Sequence, residues 1–374
     1  MKNTCLLITL LLVGFHAAAH AASAPRISEI TLVPRSPDNA LVPRLTIQSD
    51  ASVSNLVFYA TSLTEPDWLL LTNHFVTQSP YSVLDPLPPR AEARFYRVQV
   101  LAPSQPAGIA FIPAGPFSMG NPLGTTEPDE LPLHTTFVSA FYMETNLVTQ
   151  ALWDEVYQWA LVHDYEFDNP GFGKEPNHPV IEISWHDVLK WCNARSEKES
   201  LVPAYWTDST QNHVYRTGQL DLDSASVKWN TGYRLPTEAE WEKAARGGAV
   251  GHNYPWQDSD QFFHDRANVV QNPIFDTGPY PHTSPVGWFP PNGYGLYDMA
   301  GNVWEWCWDW YDPAWYENPA AANNDTRGPN SGEYRVLRGG SWSDDYTLAR
   351  CAKRGFESPF GFFNAYGFRC VKAP

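Results

Sequence analysis

A glycine- and tryptophan-rich span in the last third of the chain constrains local structure more than any other part. It runs from Asn292 to Trp306 and reads NGYGLYDMAGNVWEW. Asn-Gly is a turn signal because glycine tolerates a positive φ, and Gly295 and Gly301 let backbone segments approach each other closely. We therefore expect an ordered loop, not a helix, over the first half of this span.

The second half of the span leads into a row of tryptophans at every other position, namely Trp304, Trp306, Trp308 and Trp310. A period of two places alternate side chains on one face of an extended segment. The pattern predicts a β-strand with its indoles in the protein core. A surface on which ligands stack is the alternative interpretation.

The same span carries oxygen donors suited to a hard cation. Asp298 and Glu305 offer carboxylate oxygens, and Gly301 and Val303 between them offer backbone carbonyls. Calcium prefers this kind of ligand set. The alternative is that these polar groups cap turns without a metal.

Composition narrows the class of protein. The 374 residues are 18% charged and 43% hydrophobic, an ordinary balance for a globular protein, with 16 Trp, 24 Gly and 33 Pro. Such counts favour a fold rich in constrained loops. The formal net charge of -16 opposes binding to nucleic acid phosphates.

The N-terminus has the layout of a cleaved secretory signal over residues 1–21. Lys2 precedes an apolar run from Leu6 to Phe15, and small residues end in Ala19-His20-Ala21. That run is too short to span a bilayer, and no later segment offers the roughly 20 apolar residues that a membrane helix needs. We expect a secreted, periplasmic or cell-surface protein that does not span the membrane.

Four cysteines remain after such a cleavage: Cys192, Cys307, Cys351 and Cys370. An even count in an oxidising compartment is consistent with two disulfides, for which three pairings exist. Buried free thiols are the alternative.

Residues 25–105 differ in character from the rest. Alternating stretches such as Leu56–Ala60 and Arg94–Val100 read as strands, and prolines separate them. The pattern predicts a small β-sandwich of the immunoglobulin or fibronectin III type. Ala102–Pro106 reads as a short linker, so a second domain is expected over residues 108–374.

The second domain is expected to be α+β with three helices. The first is predicted from about Thr149 to Ala160 by its helical spacing of apolar residues. The second follows Ser184, which caps together with Asp187, and the third follows Thr237, which forms a capping box with Glu240. Loops and short strands are expected beyond it.

Six motifs follow one another along the second domain: Phe111–Gly115, Ser184–Asp187, Tyr233–Glu242, Asn292–Trp306, Tyr334–Trp342 and Gly367–Cys370. Their order resembles the formylglycine-generating enzyme family, also called the sulfatase-modifying factors, over roughly residues 108–374. The resemblance implies a loop-rich α+β fold related to C-type lectins.

The resemblance implies an oxidase that converts a sulfatase cysteine to formylglycine with O2 and Cu(I). Two cysteine thiolates after the Gly-Gly-Ser motif hold that copper, since soft ligands select Cu(I). Here the stretch from Ser343 to Cys351 contains no cysteine other than Cys351 itself, so we expect no copper. Asp344 and Asp345 in the same stretch are hard oxygen donors, which we expect to be solvated; binding of a different ion is the alternative.

The resemblance also assigns metal ligands and disulfides. It places Asp298, Gly301, Val303 and Glu305 on a calcium site. Asn268 and Val269 fall on a second one, for which Asp276 is the candidate carboxylate. Cys192 and Cys370 match a disulfide of the family, and by hypothesis Cys307 bonds Cys351.

Two classes of function remain. The first is an exported peptide- or glycan-binding scaffold with a groove lined by Trp304, Ser341, Trp342 and Asp344. The second is an oxidoreductase that acts on a sulfatase cysteine or oxidises another substrate with O2. In a third interpretation, which differs from the first only in the domain that binds, the N-terminal sandwich docks the partner. The sequence does not specify the oligomeric state.

Overall fold

The computed structural model describes residues 26–35, 40–48, 54–60, 69–75, 80–84, 95–101, 108–122, 127–256, 261–262 and 264–374. The chain divides into two compact units, Met1–Gln105 and Pro106–Pro374. The predicted signal segment, residues 1–21, lies outside the described residues.

The described part of the first unit consists of strands. They form two three-stranded antiparallel sheets, in the orders β1-β2-β5 and β4-β3-β6. Leu45, Ile47 and Val83 from one sheet and Val57 from the other are buried in a common cluster, as in a β-sandwich. The strands are β1 (Arg26–Arg35), β2 (Ala40–Gln48), β3 (Ser54–Ala60), β4 (Leu69–Phe75), β5 (Tyr81–Leu84) and β6 (Phe95–Leu101).

The described part of the second unit is mixed α+β and rich in loops. Its helices are α1 (Gln150–Leu161), α2 (Trp185–Lys198) and α3 (Glu238–Ala245). Short 3-10 helices lie at Pro128–Glu130, Ser224–Ser226, Trp315–Glu317, Pro319–Ala322 and Tyr346–Ala349. The strands are β7 (Ile109–Ile112), β8 (Gly115–Met119), β9 (His134–Val138), β10 (Phe141–Glu144), β11 (Trp304–Trp310), β12 (Arg335–Arg338), β13 (Arg354–Glu357), β14 (Tyr366–Gly367) and β15 (Val371–Lys372).

The helices begin where their caps predict. Thr149 accepts a hydrogen bond from the Leu152 amide at the start of α1. Ser184 with Asp187 and Thr237 with Glu240 form complete capping boxes at the starts of α2 and α3. None of the described helices combines the length and the apolar character needed to cross a bilayer.

The tryptophan row forms β11, an interior strand of the sheet ordered β13-β12-β11-β14. All seven of its residues are buried. Trp306 packs in one hydrophobic cluster and Cys307 in another, because the sheet is covered on both faces. The strand and the core role of the indoles are confirmed.

Carboxylates and guanidiniums occupy the core between α3 and the sheet. Glu242 of α3 accepts hydrogen bonds from Arg338 of β12 and from Arg246. Glu238 of α3 is bound by the Nε and Nη2 atoms of Arg354 of β13 at 2.8 and 3.0 Å. These contacts attach the shortest helix to the sheet that contains the tryptophan row.

Candidate functional site

Two of the four predicted groove residues, Trp304 and Ser341, donate hydrogen bonds to the carboxylate of a third, Asp344. Trp304, at the start of β11, donates from Nε1 to Asp344 Oδ2 at 2.7 Å. The Ser341 hydroxyl donates to the same oxygen, and the hydroxyl oxygens of Ser341 and Ser343 lie 3.0 Å apart. We call Trp304, Ser341 and Asp344 the Asp344 cluster.

The structure distinguishes the two aspartates after the motif, and Asp344 is only partly solvated. Its side chain is half-buried, and its backbone oxygen accepts from the Val270 amide at 3.0 Å. Asp345 is exposed and caps the following 3-10 helix by accepting from the Thr347 amide at 2.9 Å. The short loop thus turns one carboxylate toward β11 and the other toward solvent.

Trp342, the fourth predicted residue, belongs to the core. It packs with Leu147, Ile181 and Val303, and its Nε1 donates to Asn364 O at 3.1 Å. Its ring nevertheless lies 5.4 Å from that of Tyr280, a contact that sequence reasoning missed. Tyr280 is 72% exposed.

An exposed aromatic loop follows β13 and borders the same region. Phe362 and Phe363 are 55% and 52% exposed. Ala365, two residues farther on, accepts from the Trp304 amide at 2.8 Å, which fixes the loop beside the Asp344 cluster. The run SPFGFF is a signal in the sequence that could have identified this loop.

The electrostatics place Tyr366 near the same cluster. Burial first, then the Glu357 carboxylate, raise the pKa of Tyr366, and the charge of Asp344 adds to the effect. The Tyr366 hydroxyl donates to Glu357 Oε2 at 3.2 Å. The surface therefore combines exposed rings with carboxylate and hydroxyl oxygens.

The first calcium set contains an oxygen that lacks a partner. Asp298 Oδ2 accepts from the Gly287 amide at 2.7 Å, whereas Oδ1 is buried with no hydrogen-bond partner among the described residues. Burial raises the pKa of Asp298 to about 6. Gly301 has φ +75°, and a Cβ there would lie 2.2 Å from Asn268 O, so the loop requires glycine.

Glu305 is already engaged in the core. Arg369 donates from Nε to Glu305 Oε2 at 2.7 Å and from Nη2 to Oε1 at 2.8 Å. A carboxylate oxygen has more than one acceptor direction, so this pairing leaves room for a cation. Because the described residues contain no group of three His, Cys, Asp or Glu side chains arranged for a metal, a calcium ion here would also need the carbonyls of Gly301 and Val303. Because Asp298 Oδ1 has no hydrogen-bond partner among the described residues, this set of ligands fits a calcium ion.

The second calcium set does not fit a cation as well. Asp276 Oδ1 lies 2.7 Å from His282 Nδ1, and its Oδ2 accepts from the Gln271 amide at 3.0 Å. Asn268 directs its Nδ2 donor to His282 O at 2.8 Å, while Asn268 O accepts from the Asn302 amide. These contacts describe a hydrogen-bonded turn. Val269 is buried in a small apolar cluster.

The four cysteines of the described residues are buried and present as free thiols. The sulfur atoms of Cys192 and Cys370 lie 3.6 Å apart. The Cys307 sulfur lies 4.0 Å from Glu305 O. Burial raises the pKa of Cys351 to about 12, so this thiol is protonated at neutral pH.

Mild oxidation of the purified protein is expected to crosslink Cys192 and Cys370, because their sulfurs are already in contact. Peptide mapping by mass spectrometry without reductant measures this pair directly. Recovery of both as alkylated thiols after oxidation would contradict it. The same map tests the Cys307–Cys351 pairing, which stays a prediction and is ruled out if Cys307 is alkylated.

Comparison with known proteins agrees with this architecture. The family model described as a sulfatase-modifying factor enzyme 1-like domain matches residues 98–374. The formylglycine-generating enzyme of Streptomyces coelicolor is 35% identical over 296 residues, which cover 72% of this chain and 90% of that enzyme. The chaperone protein LppX of Paenibacillus barcinonensis is 31% identical, covering 63% of this chain and 81% of LppX.

A solved structure shows the same fold. Treponema denticola variable protein 1 superimposes with a TM-score of 0.57 at 29% identity, covering 71% of this chain and 95% of that protein. The matched family model and the 35% identity to a formylglycine-generating enzyme together show the family of this chain. The chain belongs to the formylglycine-generating enzyme, or sulfatase-modifying factor, family.

Proposed function

We propose that this chain is an exported member of the family that binds an extended peptide or a glycan at the Asp344 cluster, and that it is not a copper oxidase. The observation that carries the proposal is the donor set after Gly339-Gly340-Ser341. Where the resemblance implies two thiolates, the chain presents a carboxylate and hydroxyls joined to the indole of Trp304.

The chemistry of these donors argues against Cu(I). Thiolates select Cu(I), whereas carboxylate and hydroxyl oxygens suit hard cations. The nearest cysteine along the chain, Cys351, is fully buried, and burial raises its pKa to about 12. A buried thiol that keeps its proton is a poor ligand and a poor nucleophile.

The surroundings of the cluster support binding. Tyr280, Phe362 and Phe363 expose their rings, and rings of this kind contact sugar faces and apolar peptide side chains. Asp344 and Ser343 add hydrogen-bonding oxygens at the same place. The related LppX is named a chaperone protein, and that name favours a binding role for this chain as well.

Calcium has a structural place in this proposal. Asp298 Oδ1, which has no hydrogen-bond partner among the described residues, would supply one oxygen, and the carbonyls of Gly301 and Val303 would complete the set with Glu305. The bound ion would stabilise the turn that leads into β11. Because Trp304 directly follows Val303, that turn positions the indole that contacts Asp344.

The alternative function is oxidation of a sulfatase cysteine, favoured by the 35% identity to a formylglycine-generating enzyme. Copper loading of the purified protein, followed by O2 uptake with a peptide bearing the Cys-x-Pro-x-Arg motif, separates the two. We expect neither stoichiometric Cu(I) nor formylglycine. Formation of formylglycine with bound copper would establish the oxidase in place of the scaffold.

The binding function is tested with immobilised extended peptides and β-linked oligosaccharides. The double variant Asp344→Asn/Ser341→Ala is expected to bind about tenfold more weakly to any probe that the wild type retains, since a charge-assisted hydrogen bond is lost. Asp345→Asn is the matched control, because Asp345 is exposed and contacts the neighbouring turn. Equal loss in both variants, or no loss in the first, would reject the Asp344 cluster as the site.

A further inference from the structure

A small pocket lies at the end of β11 opposite to the Asp344 cluster. Trp304 and Trp310 stand at the two ends of this strand, so the pocket is about 20 Å from the Asp344 cluster. The indoles of Trp308 and Trp310 line it, together with Leu222, Asp223, Arg327 and Pro329. It combines aromatic walls with a guanidinium.

Arg327 forms no direct ion pair among the described residues, although the charges of Asp325, Glu240 and Asp309 favour its cationic form from a distance. Its guanidinium lies 4.0 Å from the centroid of the Trp229 ring, and no ion pair or hydrogen bond of Arg327 occurs within the described part of the chain. Burial, together with the charge of Arg234, lowers the pKa of Arg327. Arg327 is half-buried, so its charge is only partly screened by water.

The nearby carboxylates have other partners. Glu240 binds Arg234 through both oxygens at 2.7 Å, and Asp325 accepts from the amide and hydroxyl of Ser139 at 2.6 and 2.8 Å. Asp309 is fully buried and accepts from the Glu238 amide at 2.7 Å. None of these three contacts neutralises Arg327 directly.

A second cation lies behind the pocket wall. Arg335 is fully buried between Trp310 and Trp185, with its guanidinium carbon 3.4 and 3.6 Å from their ring centroids. Its Nη1 donates to Trp308 O at 2.6 Å, whereas Nε and Nη2 have no partner among the described residues. Burial lowers the pKa of Arg335 to about 9, so it stays charged at neutral pH.

The acidic groups at this end of the strand are more exposed. The Asp221 side chain is 61% exposed and lies 3.8 Å from His186. Asp223, on the pocket wall, is exposed and directs Oδ1 to the amide and hydroxyl of Ser226. Water screens these two charges more strongly than those of the half-buried Arg327 and the fully buried Arg335, so the interior of the pocket favours an anion.

We propose that this pocket binds a small carboxylate attached to a ring. The planar guanidinium of Arg327 matches the geometry of a carboxylate and can donate two parallel hydrogen bonds to it. The pocket is small, so the carboxylate enters and the ring rests against Trp310 and Pro329. An acidic sugar and an aromatic acid share this chemistry.

Titration calorimetry and tryptophan fluorescence with glucuronate and benzoate test the site, and glucose and benzamide serve as the neutral counterparts. We expect at least one acid to bind at least tenfold more tightly than its neutral counterpart, with affinity falling as salt is added. The acid that binds identifies the source of the carboxylate. Equal binding of acid and neutral probes, or no binding by either acid, would overturn the proposal.

Variants assign the effect to this pocket. Arg327→Met retains a side chain that can pack on Trp229 but removes the charge, and we expect at least tenfold weaker binding of the acid. Arg327→Lys is expected to retain part of the affinity for the acid that Arg327→Met loses. Asp345→Asn, in the exposed turn beyond the other end of β11, is expected to bind the acid as the wild type does. Unchanged affinity in Arg327→Met would reject Arg327 as the anion contact.

Discussion

Replacing Glu242 by glutamine is expected to lower the free energy of unfolding by about 3–5 kcal/mol, because removing one partner of a buried ion pair leaves an uncompensated charge. Glu242 is fully buried and accepts from Arg246 Nη2 at 2.6 Å, from the Gly120 amide at 2.8 Å and from Arg338. Glutamine has nearly the same volume, so a cavity does not explain the loss. Urea denaturation followed by tryptophan fluorescence measures it.

The matched control is Glu155→Gln. Glu155 pairs with Lys198 at 2.6 Å, but its side chain is 62% exposed. An exposed ion pair contributes at most about 1 kcal/mol. Similar losses in the two variants would show that burial of the charges around Glu242 does not determine their effect.

The stability difference between wild type and Glu242→Gln depends on pH in a defined direction. Burial raises the pKa of Glu242, but Arg246 and Arg338 outweigh burial, so the pKa is lower in the folded state than in the unfolded chain. The unfolded state therefore binds protons first as the pH falls, and the stabilisation is lost as the pH drops through the folded pKa. The difference in free energy of unfolding between the two proteins should be largest near neutral pH and shrink below about pH 4.

Calcium is expected to raise the melting temperature of the chelated protein by about 5–10 °C. An ion that binds only the folded state at a free concentration 100 times its Kd adds about 2.7 kcal/mol, and each kcal/mol shifts a unit of this size by about 2–4 °C. Asp298→Asn should remove most of the shift, since it replaces the buried oxygen that lacks a partner. Differential scanning calorimetry with and without a chelator measures both.

Two controls make the calcium prediction specific. Asp276→Asn is expected to leave the calcium shift unchanged, because both oxygens of Asp276 are engaged by His282 and Gln271. Magnesium at the same concentration is expected to give a smaller shift, because it is smaller and gives up its water reluctantly. An absent calcium shift in the wild type would remove the ion from the proposed function.

Local features were predictable because they depend on residues a few positions apart. The capping boxes at Ser184 and Thr237 satisfy amide groups three residues away, and the structure contains both. The alternation from Trp304 to Trp310 predicted β11 for the same reason, since strand geometry repeats every two residues. The family motifs extended this local information to the fold of the second unit.

The sequence by itself determined the family, the helix starts, the strand at the tryptophan row and the donor types after Ser341. Only the tertiary structure decided that Asp344 turns to Trp304, that Trp342 is core, and that Arg327 has no acidic partner among the described residues. Trp304 and Asp344 are 40 residues apart. Contacts at that separation follow from how strands and loops pack, and the burial that results sets the strength and the pKa of each charged group.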